Sequence, residues 1–196
     1  MPHPKVLVFS GSIRTGSFNQ RLASLAAKEL ARAEAEVSMI SLADYPMPIY
    51  DGDLEANSGP PASAVNLKRM MCAHDGIFIA SPEYNASITP LLKNSLDWVS
   101  RVRENKEPPL AAFKNRVFAL GAASPGTLGG MRSLMALRQV LELGCGALVI
   151  PDQIAIREAN QAFDDMDNLK DERSANLLRA LAQRLVELAW QRVSVP

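Results

Sequence analysis

The sequence predicts a doubly wound α/β fold, in which five parallel strands form one sheet with helices on both faces. Four short apolar runs are continuous rather than alternating, which is typical of strands that are covered on both sides. A fifth, weaker run lies between the first two of them. Helical patterns separate all five runs, and parallel neighbours in a sheet need such crossovers. Periodicity by itself does not set the order of the strands.

Each predicted strand is a short apolar segment. In chain order the strands are predicted over residues 5–9, 37–40, 76–80, 116–121 and 147–150.

The helices are predicted from capping residues as well as from spacing. Ser17 with Gln20 matches a capping box at the start of the first long helix. Thr89 followed by Pro90 is a cap with proline at the first helical position, and it predicts a helix over residues 90–102. The apolar spacing in this helix points Trp98 away from the core. Further helices are predicted from Pro60-Pro61 to about residue 74, from Gly129-Gly130 to about residue 143, and over residues 171–193.

Two longer stretches, residues 44–59 and 152–171, are predicted to be irregular because they contain Pro, Gly, Asn and Asp. Connections of this length in a compact domain are often functional. Neither stretch resembles a linker, so residues 1–196 are predicted to form a single domain.

Composition narrows the class of protein. The 21 Lys and Arg residues balance the 21 Asp and Glu residues, so no net charge favours nucleic acid or an anionic membrane. No apolar run approaches the length that spans a membrane, and the first residues do not resemble a leader. We therefore expect a cytoplasmic protein. Cys72 and Cys145 are far apart and have no clustered partners, which predicts buried free thiols and no zinc site.

The segment from Ser10 to Asn19 joins the first strand directly to the first helix. A helix N-terminus presents unpaired N–H groups and a partial positive charge. Hydroxyls of Ser12 and Ser17, the Arg14 guanidinium and the Asn19 amide are suited to surround a phosphate there. The segment therefore predicts a bound phosphate ester, and its alternative is a plain strand-to-helix turn with a capping serine.

Two other phosphate loops fit this segment less well. Gly11 and Gly16 have the spacing of a nucleoside-triphosphate loop, but Ser17 and Phe18 stand where that motif needs Lys and then Ser or Thr. The dinucleotide fingerprint also fails, because no third glycine falls in register. A tightly held NAD on this loop is not expected.

Two further loops follow predicted strands, residues 81–88 and residues 122–130. Loops that follow parallel strands share the carboxyl edge of the sheet, and ligands bind at the point where the strand order reverses. We adopt the strand order 2-1-3-4-5 of flavodoxin-like sheets, in which all three loops converge and a flavin binds between them.

Motifs in these three loops together resemble the NADPH-dependent FMN reductase family, which includes quinone, azo-dye and chromate reductases. The motifs are Gly-Ser-Ile-Arg14-Thr-Gly-Ser17-Phe-Asn19, then Ser-Pro82-Glu83-Tyr84-Asn85, then Ser124-Pro-Gly126 with Gly129-Gly130-Met-Arg132. The resemblance covers nearly the whole chain, including residues 46–51 and 93–98. One departure is the segment 163–167, where a glycine is expected in the turn.

The resemblance implies a bound FMN and the residues that hold it. The phosphate would be held by Ser12, Arg14, Ser17 and Asn19, with the backbone N–H of Phe18. The isoalloxazine edge would lie along Pro82, Glu83, Tyr84 and Asn85, with Ser124 and Gly126 on the other side of the ring. Small residues suit this position because they allow backbone donors to approach a planar ring.

The activity implied is an FMN-dependent transfer of electrons from NADPH or NADH to a small acceptor such as a quinone, free flavin, azo or nitro compound, or chromate. No catalytic side chain is expected, because the flavin carries the chemistry. A homodimer or homotetramer is implied as well. One alternative is a flavodoxin-like electron carrier without its own substrate site, although carriers usually have a strongly charged docking face. Another is a phosphate-ester binding module without redox activity.

Several residues have simpler interpretations. Glu83 is expected to support its loop rather than to act as a base. His74 is expected in a solvated turn, and Met131 with Met135 in the core. Residues 164–171 are expected to form a solvated acidic loop. Tyr50, Trp98 and Arg101 are expected either at the surface or against a neighbouring subunit that completes the substrate pocket.

Overall fold

The computed structural model describes residues 3–193. It contains one five-stranded sheet in the order β2-β1-β3-β4-β5, and all neighbouring strands are parallel. The strands are β1 (Lys5–Ser10), β2 (Glu36–Ser41), β3 (Gly76–Ala80), β4 (Val117–Ala123) and β5 (Leu148–Ile156). This confirms the predicted flavodoxin-like fold and its strand order.

Seven α-helices lie among the described residues. They are α1 (Phe18–Arg32), α2 (Gly52–Ser58), α3 (Ala62–Cys72), α4 (Pro90–Arg101), α5 (Met131–Gln139), α6 (Ala159–Ala162) and α7 (Glu172–Val193). A 3₁₀ turn over Leu42–Asp44 follows β2, and a π-helical turn over Val140–Gly144 extends α5. The helix predicted to reach about residue 143 therefore ends in π geometry. None of the helices within residues 3–193 is long and apolar enough to cross a membrane.

The core has one apolar layer on each face of the sheet. Alternate residues of β1 point to opposite faces, so Val6 and Val8 pack with α1 and α7 while Leu7 and Phe9 pack with α3, α4 and α5. Both layers are shielded from water, which explains why the central strands are continuous apolar runs rather than alternating ones.

Strand register brings three loops to one edge. Ser10 at the end of β1 is paired with Ala80 at the end of β3, and Ala80 is paired in turn with Gly121 near the end of β4. The chain therefore leaves all three strands at nearly the same level.

The prediction for residues 152–171 was wrong in part, because β5 continues to Ile156 and α6 follows. Pro151 lacks a backbone N–H, and a proline normally marks the end of a central strand. Here β5 lies at the edge of the sheet, where β4 is its one neighbouring strand among the described residues, with a register shift between Phe118 and Leu120. The edge position accommodates the proline.

Residues 44–59 are also more ordered than predicted. The Asp51 carboxylate accepts hydrogen bonds from the N–H groups of Asp53 and Leu54, and this cap starts α2.

The prediction that Trp98 points outward was wrong. Its side chain is fully buried and its indole N–H donates to the Pro48 carbonyl oxygen over 2.8 Å. Tyr50 packs edge-on against the indole ring, with 5.0 Å between ring centroids. Arg101 and the Tyr50 hydroxyl both bond to the Glu55 carboxylate. These side chains fix residues 46–55 to α4 within one chain.

Three other side chains differ from the expectation. Met135 is 65% exposed and so does not belong to the core. His74 is buried rather than solvated, and its Nδ1 donates to the Met70 carbonyl oxygen over 2.7 Å. Of the two free thiols, Cys145 is buried as predicted, whereas Cys72 is only half-buried.

The turn that lacks the expected glycine is formed by aspartates. Asp167 adopts a left-handed conformation with φ 63°, and Asp164 accepts hydrogen bonds from the backbone of Met166 and Asn168. Those hydrogen bonds, the one from Asn168 first, hold the pKa of Asp164 below its usual value. Asp167 also pairs with Arg21 of α1, so this acidic loop is attached to the fold.

Candidate functional site

The loop between β1 and α1 is folded by its own serines. Ser10 Oγ accepts a hydrogen bond from the Ser12 N–H, and Ser12 Oγ accepts one from the Arg14 N–H. Ser17 caps α1 by accepting from the Asn19 N–H over 3.3 Å. The reciprocal half of the predicted capping box does not form, because the Gln20 amide donates to the Ser12 carbonyl oxygen instead.

Arg14 carries the positive charge of this loop. Its side chain is exposed, and its guanidinium donates only a long hydrogen bond of 3.4 Å to the Thr15 carbonyl oxygen. Within residues 3–193 no carboxylate forms an ion pair with it. The guanidinium is therefore available to an anion beside the N-terminus of α1, where the helix dipole also favours negative charge.

Asn19 has a structural role that the sequence did not reveal. Its side chain is buried, donates to the Ala123 carbonyl oxygen over 2.8 Å and accepts from the Ala123 N–H over 2.9 Å. Both the nitrogen and the oxygen of this amide are therefore bonded to Ala123, whereas the sequence predicted that the amide contacts a phosphate. Asn19 joins the first turn of α1 to the end of β4, and so holds the first and third loops together.

The loop after β3 is a tight turn. Tyr84 and Ser87 exchange backbone hydrogen bonds of 2.9 and 3.0 Å, and both central residues have positive φ, 50° at Asn85 and 65° at Ala86. Two consecutive residues of positive φ define a type I′ turn. Such a conformation is unfavourable for alanine, so the surrounding structure must hold this turn in place.

Side chains of α5 hold the base of this second loop. Glu83 accepts hydrogen bonds from the backbone N–H and the Nε of Arg132, which supports the expectation that Glu83 stabilises its loop. Beneath it, the hydroxyls of Ser81 and Ser133 lie 2.7 Å apart, and Ser133 donates to the Pro82 carbonyl oxygen. Ser133 was not predicted, because nothing in the sequence shows that α5 contacts a loop about 50 residues earlier.

The third loop needs glycine where it leads into α5. Gly130 has φ 89°, and a Cβ added there would lie 2.7 Å from the Cβ of Ala122. The backbone of this loop can therefore approach β4 closely only without a side chain at this position.

The three loops enclose a cavity of about 120 Å³. Nine of the eleven predicted site residues line it: Ser12, Arg14, Ser17, Phe18, Asn19, Pro82, Glu83, Tyr84 and Ser124. Asn85 and Gly126 do not line it. Asn85 is at the exposed tip of the turn, and the Gly126 N–H donates to the Ser124 hydroxyl over 3.4 Å.

The cavity suits part of a phosphate ester with a planar group. One end has hydroxyls, a guanidinium and a helix N-terminus, and the rest is lined by Pro82, Glu83, Tyr84, Ala123, Ser124 and Pro125. Enclosed ligand pockets are usually about 300–1,000 Å³, so a nucleotide seated here leaves part of its surface open. Each loop also carries one large apolar side chain that is about half exposed, Ile13 (51%), Tyr84 (50%) or Leu128 (49%).

Known proteins show the same sequence pattern and fold. Residues 4–161, which include all three loops, match the NADPH-dependent FMN reductase family. The chain is 34% identical over 182 residues to an NAD(P)H-dependent FMN reductase of Pseudomonas aeruginosa, covering 92% of each protein. It is 38% identical over 138 residues to a quinone reductase of Escherichia coli, covering 70% of this chain and 69% of that one. Among solved structures, a flavoenzyme NAD(P)H:(acceptor) oxidoreductase from Paracoccus denitrificans is similar with a TM-score of 0.78 and 26% identity, covering 96% of this chain and 98% of that one.

Proposed function

This chain belongs to the NADPH-dependent FMN reductase family, and from that premise we propose that the cavity formed by its three loops is where it holds FMN. The protein is an FMN-dependent NAD(P)H oxidoreductase. The observation that carries the proposed site is the unpaired Arg14 guanidinium beside the N-terminus of α1. When bound, FMN supplies the redox chemistry between NAD(P)H and the acceptor.

The phosphate end of the site is assigned to the first loop. Arg14, the hydroxyls of Ser12 and Ser17, and the Phe18 N–H are the groups proposed to bind the phosphate. A guanidinium and a helix N-terminus both favour negative charge, and hydrogen bonds between charged partners are shorter and stronger than neutral ones. Asn19 is proposed to act indirectly, by holding this loop against β4.

The ring end is assigned to the second and third loops. We propose that backbone groups of residues 82–85, together with Ser124, bind the edges of the isoalloxazine. The anchoring of Glu83 by Arg132 and of Pro82 by Ser133 keeps this backbone in place before the ligand arrives. Preorganised contacts of this kind lower the entropic cost of binding.

The remaining properties are proposed from the resemblance and the composition. We propose that the chain forms one domain, assembles as a homodimer or homotetramer, works in the cytoplasm, and does not bind nucleic acid. The electron acceptor is proposed to be a small molecule such as a quinone. The open surface of the cavity supports a small acceptor, because electron transfer to it needs proximity more than dedicated acids and bases. Light scattering at working concentration tests the assembly, and a fully active monomer would contradict it.

Arg14→Ala tests the phosphate anchor. A hydrogen bond to a charged group contributes about 1.5–3 kcal/mol, so the Kd for FMN is expected to rise about 10- to 100-fold. The Kd is measured by quenching of flavin fluorescence as FMN is titrated into the apoprotein. Arg103→Ala is the control, because Arg103 is also exposed and also lacks an ion pair among the described residues, but it lies outside the cavity. An unchanged Kd in Arg14→Ala would refute the anchor.

Stopped-flow mixing distinguishes the oxidoreductase from the electron carrier. Rapid loss of flavin absorbance after mixing the holoprotein with NADPH or NADH is expected of the enzyme. A holoprotein that no nicotinamide bleaches would be a carrier, and a preparation that takes up no FMN at all would be neither.

A further inference from the structure

A second cavity, of about 450 Å³, lies where β5 ends and α7 begins. Its apolar lining includes the buried Ile156 and Leu169 and the half-exposed Leu177. Its polar side chains include Arg157, Arg173 and Asp171. A cavity with an apolar lining and a few charged groups is typical of a site for a small molecule.

This cavity borders the proposed FMN site. The Ser124 N–H donates to the Ile156 carbonyl oxygen over 3.1 Å, and the Ser124 carbonyl oxygen accepts from the Ala159 N–H over 3.1 Å. A Cβ added to Gly129 would lie 3.0 Å from the backbone nitrogen of Arg157. Ser124 therefore lines the first cavity on one side of the third loop, while Ile156 and Arg157 line the second cavity on the other side.

The charge of the second cavity is set by two arginines. Both guanidinium groups are exposed, and within residues 3–193 neither forms an ion pair with a carboxylate. Asp171 is the opposing charge, but its carboxylate accepts hydrogen bonds from the Ser174 N–H and hydroxyl at 2.9 and 2.6 Å. Those bonds, with a smaller contribution from the charge of Arg173, hold the pKa of Asp171 below its usual value. The carboxylate is thus committed to the first turn of α7.

Another cavity also borders the first loop but has the opposite character. It has a volume of about 500 Å³ and is lined by hydroxyls of Ser10, Ser12, Ser24 and Ser41, with Asp44 as its charged group. No Lys or Arg among the described residues lines it, so it disfavours a phosphate. Of the two cavities that border the proposed FMN site, the one lined by Arg157 and Arg173 suits an anion.

We propose that the cavity beneath Arg157 and Arg173 receives the adenosine end of the hydride donor, and that these two guanidiniums bind the 2′-phosphate that distinguishes NADPH from NADH. The inference rests on the proposed function, since it places the far end of a donor whose nicotinamide must reach the flavin. Planar guanidiniums bind phosphate with paired hydrogen bonds. The adenine packs against the apolar lining, to which Ile156, Leu169 and Leu177 contribute. The enzyme therefore prefers NADPH.

The double variant R157A/R173A tests this assignment through the ratio of kcat/KM for NADPH to kcat/KM for NADH. Removal of two charged hydrogen-bonding groups is expected to lower that ratio at least about 10-fold, mainly by raising the KM for NADPH. R157K/R173K is expected to recover part of the ratio, because it keeps the charge and loses the paired geometry. R184A is the matched control, since Arg184 is exposed on the same helix and pairs with Glu187.

The outcomes separate the inference from the proposed function. An unchanged ratio in R157A/R173A, or an equal loss with both nucleotides, would overturn the assignment of the 2′-phosphate. With NADH as donor, free FMN and a neutral quinone are compared as acceptors. A raised KM for free FMN alone would assign the arginines to the phosphate of the acceptor and would also overturn the inference. Failure of the proposed function has a different signature, which is a wild-type protein that binds no FMN or is reduced by neither nucleotide.

Discussion

Asn19→Ala is expected to destabilise the protein more than a single polar substitution usually does. Among the described residues, Asn19 is the one whose side chain hydrogen-bonds to the backbone of Ala123. Its amide donates to the Ala123 carbonyl oxygen over 2.8 Å and accepts from the Ala123 N–H over 2.9 Å. It is 4% exposed, so water does not readily take its place. The substitution leaves two buried backbone groups unsatisfied.

The magnitude follows from those two groups. Each buried polar group that loses its partner costs about 1–3 kcal/mol, and the better helix propensity of alanine returns at most about 0.7 kcal/mol. The free energy of unfolding should therefore fall by about 1–5 kcal/mol. In a chain of this size that corresponds to a decrease in Tm of about 2–20 °C.

Urea unfolding followed by circular dichroism measures the change, with protein saturated in FMN and again without it. Asn176→Ala is the control, since Asn176 is exposed on α7 and its side chain accepts only from Arg179, three residues away. That control is expected to stay within about 0.5 kcal/mol of wild type. A loss below about 1 kcal/mol in Asn19→Ala would show that the link between α1 and β4 is not made by this side chain.

Two further predictions use other features of the structure. Gly130→Ala should lower the free energy of unfolding by about 2–6 kcal/mol, because φ at this position is 89° and the added Cβ would lie 2.7 Å from the Cβ of Ala122. Gly144→Ala is the control in the same urea titration, since a Cβ added to Gly144 meets nothing within 4 Å. Burial raises the pKa of Cys145 to about 11, so iodoacetamide at pH 8 should label Cys72→Ser far more slowly than Cys145→Ser. Equal labelling rates in the two variants would contradict the burial. Because the folded pKa of Cys145 is above the ordinary value of 9.0, the stability that the neutral thiol contributes is present below pH 9 and is lost as the pH rises toward 11.

The sequence identifies elements whose signals are local. Ser17 and Thr89 cap helices where predicted, because a capping hydroxyl acts on N–H groups two or three residues away. The strands near the centre of the sheet were found because burial on both faces leaves a continuous apolar run. The strand that was predicted too short, β5, is at the edge, where the usual rule against proline does not apply.

The contacts that hold the candidate site together are not local, and so they were missed. Asn19 and Ala123 are 104 residues apart, and Glu83 and Arg132 are 49 apart. Periodicity describes only which face of an element is apolar, not which element covers it. Trp98 shows this clearly, since α4 buries a second face against α3 and against the Pro48 carbonyl, neither of which its own spacing reveals.

The side chains of Ile13, Tyr84 and Leu128 are about half exposed to solvent, whereas the backbones of their loops are held by hydrogen bonds to buried groups of the domain. The hydrogen bonds that fix those backbones come from Asn19, Ser133 and other groups, not from these three side chains. Randomising the three positions together should thus give a library whose members fold alike and differ mainly in what they admit to the ligand surface. For an engineer, retuning substrate range here is separable from rebuilding the scaffold.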